Sequence, residues 1–573
     1  MSLVDEYLEY EDNEYFIEDL KKVVESGDKE ELNDRFYTSL VFGTGGLRGK
    51  IGGGYNRMNP YIVRKATQGL SNYVKKYTSN GSAVIAYDSR NFSRLFAEEA
   101  ARIFCSNGIK TYLFTSLRPT PVLSFAVRQL KTTTGVVITA SHNPAIYNGY
   151  KVFWEDGGQI VPPHDKGIIE EVNSVSGKLD PMTLEEAEKK GLLEYIDSVV
   201  DEPFVKMVKE CSIRPELMKE KGKDLKIVYT PLHGAGRVLV ERTLSEMGVE
   251  VITVPEQRDP DGDFPTVEFP NPEIASAMKL GIELAKKESA DMLMGTDPDS
   301  DRLGIAVPEG GEMVLVTGNQ LGVLLADYMF SSLKELGRLS EKAAFVKTIV
   351  TTDLQRLVAE SYGIKSYDVL TGFKYIAEKI KEFEKTGEKY IFGGEESYGY
   401  LVTDRVRDKD AVSAAFLAVE MALYHRTNGK SVLDRLKEIW EEYGYFEELL
   451  ISRYFEGQKG KEIMDSMMES MRTAPPKTFG GVPVEKMIDY RSGESVLSDG
   501  RKVRDIDLPS SNVLQFFLKD GSKVTVRPSG TEPKIKFYAS CRGKKGSLLE
   551  EAKKEASDKL KAIETDIDKF LKP

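Results

Sequence analysis

Residues 83–114 read AVIAYDSRNFSRLFAEEAARIFCSNGIKTYLF. The apolar, β-branched run AVIAYD (83–88) has the composition of a buried strand. Leu95, Phe96, Ala100, Ile103 and Phe104 then recur at helical spacing, Asn107-Gly108 marks a helix end, and KTYLF (110–114) is a second strand. Strand, helix, strand in so few residues argues for α/β layers in which helices cover a sheet.

The same alternation continues through GVVITA (135–140), KIVYT (226–230), EVITV (250–254), DMLMG (291–295), AFVKTIV (344–350) and YIFG (390–393). It is architectural and not a short repeat, so a solenoid is disfavoured. KVTVRPSGTEPKIKFYASCR (523–542) departs from it: two strands joined by a loop, then a closing helix with Ser547 and Glu550 as an expected capping box. The last segment is therefore read as α+β. With 573 residues and about 150 per domain, roughly four domains are expected. Boundaries are placed near 210, 320 and 445, giving 1–210, 211–320, 321–445 and 446–573.

Composition narrows the function classes. The net charge of −12 gives an anionic field, which disfavours nucleic acid and anionic membranes while leaving room for a local basic pocket. Three cysteines without a C-x-x-C pair suit a reducing compartment. The acidic start MSLVDEYLEYEDNEYF does not read as a signal peptide. AVSAAFLAVEMALY (411–424) is too short to span a bilayer and holds Glu420, so it is read as a buried helix and the protein as cytoplasmic.

Four segments carry chemistry. T-A-S-H-N-P (139–144) follows a strand and puts Ser141 at the carboxyl end of a sheet, where α/β proteins place ligands; Pro144 and Asn148-Gly149 are read as turns, and Lys151 returns a cation to the same mouth. No G-x-S-x-G elbow surrounds the serine, which argues against a hydrolase, and an ordinary polar loop is the alternative. D-P-D-S-D-R (297–302) offers Asp297, Asp299 and Asp301 at alternate positions, the oxygen set that hard divalent cations take. An EF-hand is excluded, because its sixth position is Arg302 and its twelfth Pro308. G-G-E-E-S-Y-G-Y (393–400) combines carboxylate and hydroxyl groups suited to sugar hydroxyls. R-P-S-G-T-E-P-K (527–534) has the ingredients of a phosphate cradle, and G-T-G-G-L-R-G (43–49) presents Arg48 on a glycine loop without dinucleotide spacing.

In that order, these segments resemble the phosphoserine, metal, sugar and phosphate loops of the α-D-phosphohexomutase superfamily, most closely its phosphoglucomutase branch, from about residue 40 to about 545. The resemblance implies four domains around a central cleft: three related α/β units with mixed sheets and a fourth, α+β domain similar to the TATA-binding-protein fold. It implies that Ser141 carries the transferable phosphate beside His142. Asp297, Asp299 and Asp301 would bind Mg²⁺ together with the phosphoserine, and Arg302 would stand beside them. Arg48 and Lys151 would serve proton transfer or charge stabilisation. Glu395, Ser397, Thr371 and Gly372 would contact the sugar, and Arg527, Ser529, Gly530 and Thr531 the non-reacting phosphate.

The implied activity is interconversion of glucose 1-phosphate and glucose 6-phosphate through glucose 1,6-bisphosphate. The partners are small phosphosugars, with neither nucleic acid, membrane nor an obligate protein partner. The G-E-E-S form of the sugar loop matches glucose-preferring members, and about 40 residues before the first glycine loop are shared with phosphopentomutase-type relatives. Phosphopentomutase or phosphomannomutase activity is the alternative within this chemistry, and a non-catalytic phosphosugar-binding protein the alternative outside it.

Overall fold

A computed structural model describes residues 2–43, 45–455, 457–528 and 534–570. The chain forms two compact units, one of Met1–Leu321 with Phe373–Asn428 and the other of Gly322–Gly372 with Gly429–Pro573.

The first unit begins with three short helices, α1 (Leu3–Tyr10), α2 (Glu14–Ser26) and α3 (Lys29–Phe36), capped by Ser2, Asn13 and Asp28, whose side-chain oxygens accept first-turn N–H groups. Then come β1 (Gly46–Lys50), α4 (Pro60–Tyr77), β2 (Ser82–Tyr87), α5 (Ser93–Ser106), β3 (Lys110–Phe114), α6 (Thr120–Leu130), β4 (Thr134–Ile138), β5 (Tyr147–Trp154) and β6 (Leu193–Ile196). The six strands make one mixed sheet in the order β1-β5-β4-β2-β3-β6. β4, β2, β3 and β6 run parallel, while β5 lies antiparallel to both β4 and β1. The expected helix end holds: α5 stops at Asn107, and Gly108 takes φ +74°, a conformation glycine adopts at little cost.

A second mixed sheet follows the same plan. It contains β7 (Lys226–Thr230), β8 (Glu250–Thr253), β9 (Met292–Thr296), β10 (Leu303–Glu309) and β11 (Glu312–Val316) in the order β11-β10-β9-β7-β8. β8, β7 and β9 are parallel, and β10 folds back antiparallel on β9. In the other unit, β12 (Ala343–Thr348) and β13 (Lys365–Val369) pair in parallel. In the first unit, β14 (Lys389–Glu395) and β15 (Gly399–Leu401) form an antiparallel hairpin. The apolar helix Ala411–Thr427 is buried almost throughout. Its Glu420 is satisfied by the hydroxyl of Ser212 and the backbone N–H groups of Ile213 (2.9 Å) and Arg214 (3.2 Å), which is how a carboxylate survives there.

The C-terminal part of the second unit is a wholly antiparallel sheet. Its strands are β16 (Phe446–Tyr454), β17 (Thr478–Phe479), β18 (Val482–Asp489), β19 (Glu494–Leu497), β20 (Lys502–Arg504), β21 (Leu514–Leu518), β22 (Lys523–Pro528) and β23 (Lys534–Arg542). The order is β16-β23-β22-β21-β18-β19-β20, with β17 on β18. The helix Leu549–Phe570 buries Ala556, Leu560, Ile563 and Ile567 in that sheet's core. This is the α+β segment read from the sequence.

Three local expectations are corrected. Asn148-Gly149 is not a turn but lies inside β5, where a Cβ on Gly149 would stand 2.5 Å from Thr139 O and 2.8 Å from Leu47 O; the glycine serves close approach between strands. Arg48 sits on β1, not on a glycine loop. Ser547 does not cap the last helix, which starts at Leu549; its hydroxyl donates to Lys544 O at 2.8 Å.

Candidate functional site

The three chemistry-bearing loops of the first unit arise in one way. Residues 139–146 join β4 to β5, 297–302 join β9 to β10, and 396–398 join β14 to β15. Each is the connection from a strand to the antiparallel strand that follows it.

Ser141 occupies the first loop with φ +52°, a left-handed conformation costly for a residue with a Cβ and common at functional sites. The strain is held in place from both sides. Thr139 Oγ1 accepts the Ser141 N–H at 2.8 Å, and the buried guanidinium of Arg90 donates to the carbonyl oxygens of Ser141, Asn143, Pro144 (2.9 Å) and Tyr147 (3.0 Å). Ser141 Oγ then lies 2.8 Å from Asp297 Oδ2 and 3.1 Å from His142 Nδ1. Serine and aspartate are 156 positions apart in the chain, and the fold brings them into hydrogen-bond contact.

Asp297, Asp299 and Asp301 are all buried, with one oxygen of each within 4.8 Å of the others. Their loop is tightly built. Asp297 Oδ1 accepts the N–H groups of Asp301 and Arg302, both at 3.0 Å, which closes the loop on itself. The segment TPLHGAG (230–236) packs against it so closely that a Cβ on Gly234 would meet Pro298 Cα at 2.4 Å and one on Gly236 the hydroxyl of Ser300 at 2.4 Å. His233, in that segment, bonds Thr266 Oγ1 (2.9 Å) and Asp259 O (3.3 Å), so it braces the loop. The N-terminus of α6 adds two bonds to Asp299: Thr120 Oγ1 to Oδ2 at 2.8 Å and Thr120 N–H to the carbonyl at 2.9 Å.

Burial and the two neighbouring carboxylates push Asp297 well above the usual range. Burial opposes ionisation of Asp299 as well, but Lys151 and hydrogen bonds from its surroundings hold it well below that range. Lys151 Nζ lies 2.7 Å from Asp299 and 3.5 Å from Asp301, and Lys409 Nζ lies 3.0 Å from Asp301. Although burial works against their charge, these carboxylates keep both ammonium groups protonated. One oxygen each of Asp299 and Asp301 is buried without a hydrogen bond. Hard, inward-facing and unsatisfied oxygens on a rigid loop fit a divalent cation.

Arg302 is half-buried beside the triad and ion-pairs with Glu273. His142 is held far below its ordinary value by burial and by Arg302 and Arg48, and is therefore neutral. Arg48 reaches the serine loop at Asn143 Oδ1, 3.3 Å away. Glu395 ends β14, buried, and raises the affinity of both Arg302 and Lys409 for their protons; Ser397 follows in the hairpin turn. The structure thus gathers Ser141, His142, the three aspartates, Lys151, Arg48, Arg302 and Glu395 within the first unit. Thr371, Gly372 (φ +122°) and Arg527, which pairs with Lys536 across β22 and β23, belong to the second. Ser529, Gly530 and Thr531 lie outside the described residues.

Arg90, Thr120, Glu273 and Lys409 escape a reading by motif. They stand in D-S-R, R-P-T-P, N-P-E and R-D-K-D, short stretches with no motif of their own, and each meets a partner from a distant loop. For Lys409 the one local sign is its place directly before an apolar helix.

Comparison with known proteins agrees with this geometry. Residues 39–178, 202–310 and 317–443 match, in turn, alpha/beta/alpha domains I, II and III of the Phosphoglucomutase/phosphomannomutase family. The chain is 37% identical over 515 residues to a phosphoglucomutase of Staphylococcus epidermidis RP62A, covering 89% of this chain and 92% of that one. It is 36% identical over 518 residues to a phosphoglucomutase of Staphylococcus aureus MRSA252, covering 89% and 91%. Its fold is similar to that of a putative phosphomannomutase from Thermus thermophilus (TM-score 0.69, 20% identity, 93% of this chain and 99% of that one). It is also similar to that of the Paramecium phosphoprotein pp63/parafusin (TM-score 0.69, 18% identity, 93% and 94%). With three consecutive family domains matched across most of its length and relatives 36–37% identical over 89% of it, the chain belongs to the phosphoglucomutase/phosphomannomutase family.

Proposed function

We propose that the protein is an α-phosphoglucomutase that interconverts glucose 1-phosphate and glucose 6-phosphate through a phosphorylated Ser141 and a glucose 1,6-bisphosphate intermediate. The observation that carries this reading is the 2.8 Å approach of Ser141 Oγ to Asp297 inside the buried aspartate triad. The relatives named phosphoglucomutase support the sugar.

Asp297, Asp299 and Asp301 would hold Mg²⁺, with the phosphate on Ser141 as a further ligand. The ion, when bound, supplies Lewis-acid polarisation and charge neutralisation at the phosphoryl oxygens. The rest falls to the chain. In the forward half-reaction the bond from phosphorus to Ser141 Oγ breaks as one to the sugar O6 forms. The O6 proton passes to the released Oγ, and His142 Nδ1, 3.1 Å from that oxygen, is placed to relay it. The return half-reaction reverses this with the phosphate on O1, and Ser141 is phosphorylated again. Lys151, kept charged by Asp299 and Asp301, stabilises charge and donates hydrogen bonds, and Arg48 and Arg302 add positive charge around the phosphoryl group. Glu395 and Ser397, with Thr371 and Gly372, orient the sugar hydroxyls; Arg527, with Ser529, Gly530 and Thr531, holds the phosphate that is not reacting. We also propose domain limits near 210, 320 and 445.

Intact-mass measurement with and without glucose 1,6-bisphosphate tests the covalent step. One added phosphate that maps to Ser141 and is absent from Ser141→Ala is expected. Full mutase turnover by the alanine variant would remove the mechanism. Parallel assays with mannose 1-phosphate and ribose 1-phosphate test the sugar.

A further inference from the structure

Residues 2–38 precede the region that matches the family, which begins at residue 39, yet they are not an appendage. Tyr7, Phe16 and Leu20 are fully buried in the core of the first sheet. Two polar contacts of the segment reach α4, from Glu11 to Tyr61 N–H and from Asp12 to Arg64, and a larger set falls on residues that continue β1: Gly53, Tyr55, Asn56 and Arg57. Asp19 Oδ2 accepts the Gly53 N–H at 2.8 Å and also binds Arg35, whose guanidinium donates to Gly53 O at 3.0 Å. Both backbone groups of Gly53 are thereby engaged by the helices. Asn56 N–H donates to Arg35 O at 2.9 Å, Tyr55 Oη donates to Glu6 at 2.6 Å, and Arg57 bridges Glu31 (2.9 Å) and Asp34 (2.7 Å). The fit excludes side chains: a Cβ on Gly53 would stand 2.5 Å from Phe16 O, and one on Gly54 2.9 Å from Arg35 Cβ.

β1 needs such support. It is the edge strand of its sheet, it contains Gly46 and Gly49, and three glycines follow it, so its own side chains fix little of its conformation. Arg48 stands in that strand and reaches Asn143, and Ile51 N–H at its end bonds Ile146 O of the serine loop at 2.8 Å. We propose that the N-terminal helices act as a clasp that sets the position of Arg48, with Asp19 and Arg35 as its positioning residues. This rests on the reading of Arg48 as a cation of the phosphosugar site.

The test uses the full chain carrying Asp19→Asn or Arg35→Met, alone and combined with Arg48→Lys. Amide hydrogen exchange at residues 49–54 is expected to quicken about tenfold, with the strands β2 and β4 unchanged. Turnover of glucose 1-phosphate is expected to fall about tenfold in kcat with little change in KM, because misplacement of a charge acts on the transition state. Arg35→Lys should recover part of it. In the Arg48→Lys background the clasp variants should add less than about twofold, since they act through a residue already altered. Unchanged exchange at 49–54, or a full further tenfold loss in that background, overturns the clasp. If Arg48→Lys and Arg48→Ala both keep wild-type turnover, the assignment of Arg48 fails instead, and the exchange measurement alone decides the clasp. Asp19→Asn is isosteric and carries the test if Arg35→Met does not fold.

Discussion

Arg90 binds the backbone of Ser141: its guanidinium donates to the serine's own carbonyl oxygen and, by the same fork, to three more carbonyls of that loop. Five donors in a rigid plane are what allow one side chain to hold a strained turn. Burial lowers Arg90 to about 10, so it stays charged at neutral pH. Arg90→Lys keeps a charge but loses the fork, and kcat/KM should fall about a hundredfold while Mg²⁺ affinity changes little. Steady-state kinetics beside calorimetric Mg²⁺ titration will check this; a fall in both together would mean that the loop holds the aspartates as well.

The balance of charge in the aspartate triad sets the second expectation. Without metal, Lys151 pairs with Asp299 and Asp301, and removing one member of a buried ion pair typically costs about 3–5 kcal/mol. Lys151→Met should therefore be markedly less stable than the wild type in chelator and recover on addition of Mg²⁺. A ligand that binds only the folded state stabilises it by about 2.7 kcal/mol at a hundred times its Kd. Asp299→Asn should lose that Mg²⁺-dependent gain. Thermal unfolding with and without Mg²⁺ measures each.

Asp410 caps the buried helix Ala411–Thr427, accepting from Val412 N (2.9 Å), Ser413 N (3.2 Å) and the Ser413 hydroxyl (2.6 Å). Burial nevertheless raises it from 3.8 to about 6. A carboxyl raised on folding binds its proton more tightly in the native state, so this contribution is present below about pH 4 and lost as pH climbs through 6. At 1.36 kcal/mol per unit the difference is about 3 kcal/mol. Asn caps helices as well as Asp does, so Asp410→Asn should be the more stable protein at pH 8, and the gap should close on acidification below pH 4. Denaturant titrations across that range will show it; a constant gap would mean that folding leaves the Asp410 carboxyl unshifted.

Glu395 is buried at the end of β14, where we place the sugar hydroxyls. A site built to hydrogen-bond a hydroxyl discriminates by what it leaves unpaired. Glu395→Gln should lower kcat/KM for glucose 1-phosphate by about a hundredfold and narrow its advantage over mannose 1-phosphate. Competition between the two sugars measures that ratio, and an unchanged ratio would take sugar selection away from this residue.

Much of this was legible in the sequence because the signals are local. KTYLF and KIVYT coincide with β3 and β7, and β22 and β23 fall where the run 523–542 puts two strands. The serine and aspartate loops stand out for the same reason, since their residues are contiguous. What could not be read depends on distant partners. Thr120 matters because Asp299, 179 positions away, accepts its hydroxyl, and Lys409 because it meets Asp301. Asn148-Gly149 misleads in the opposite direction. The pair has turn chemistry, but strands on both sides impose extended backbone and use the missing side chain for contact.

The loops that bear Ser141, the aspartates and Glu395 all turn a strand back on its neighbour, so sheet hydrogen bonds clamp both ends of each. Two of the three carry a further lock, Arg90 on the serine loop and Thr120 with residues 230–236 on the aspartate loop. A change at either tip is therefore felt by elements remote in the chain, and must be matched there to keep the reacting groups aimed.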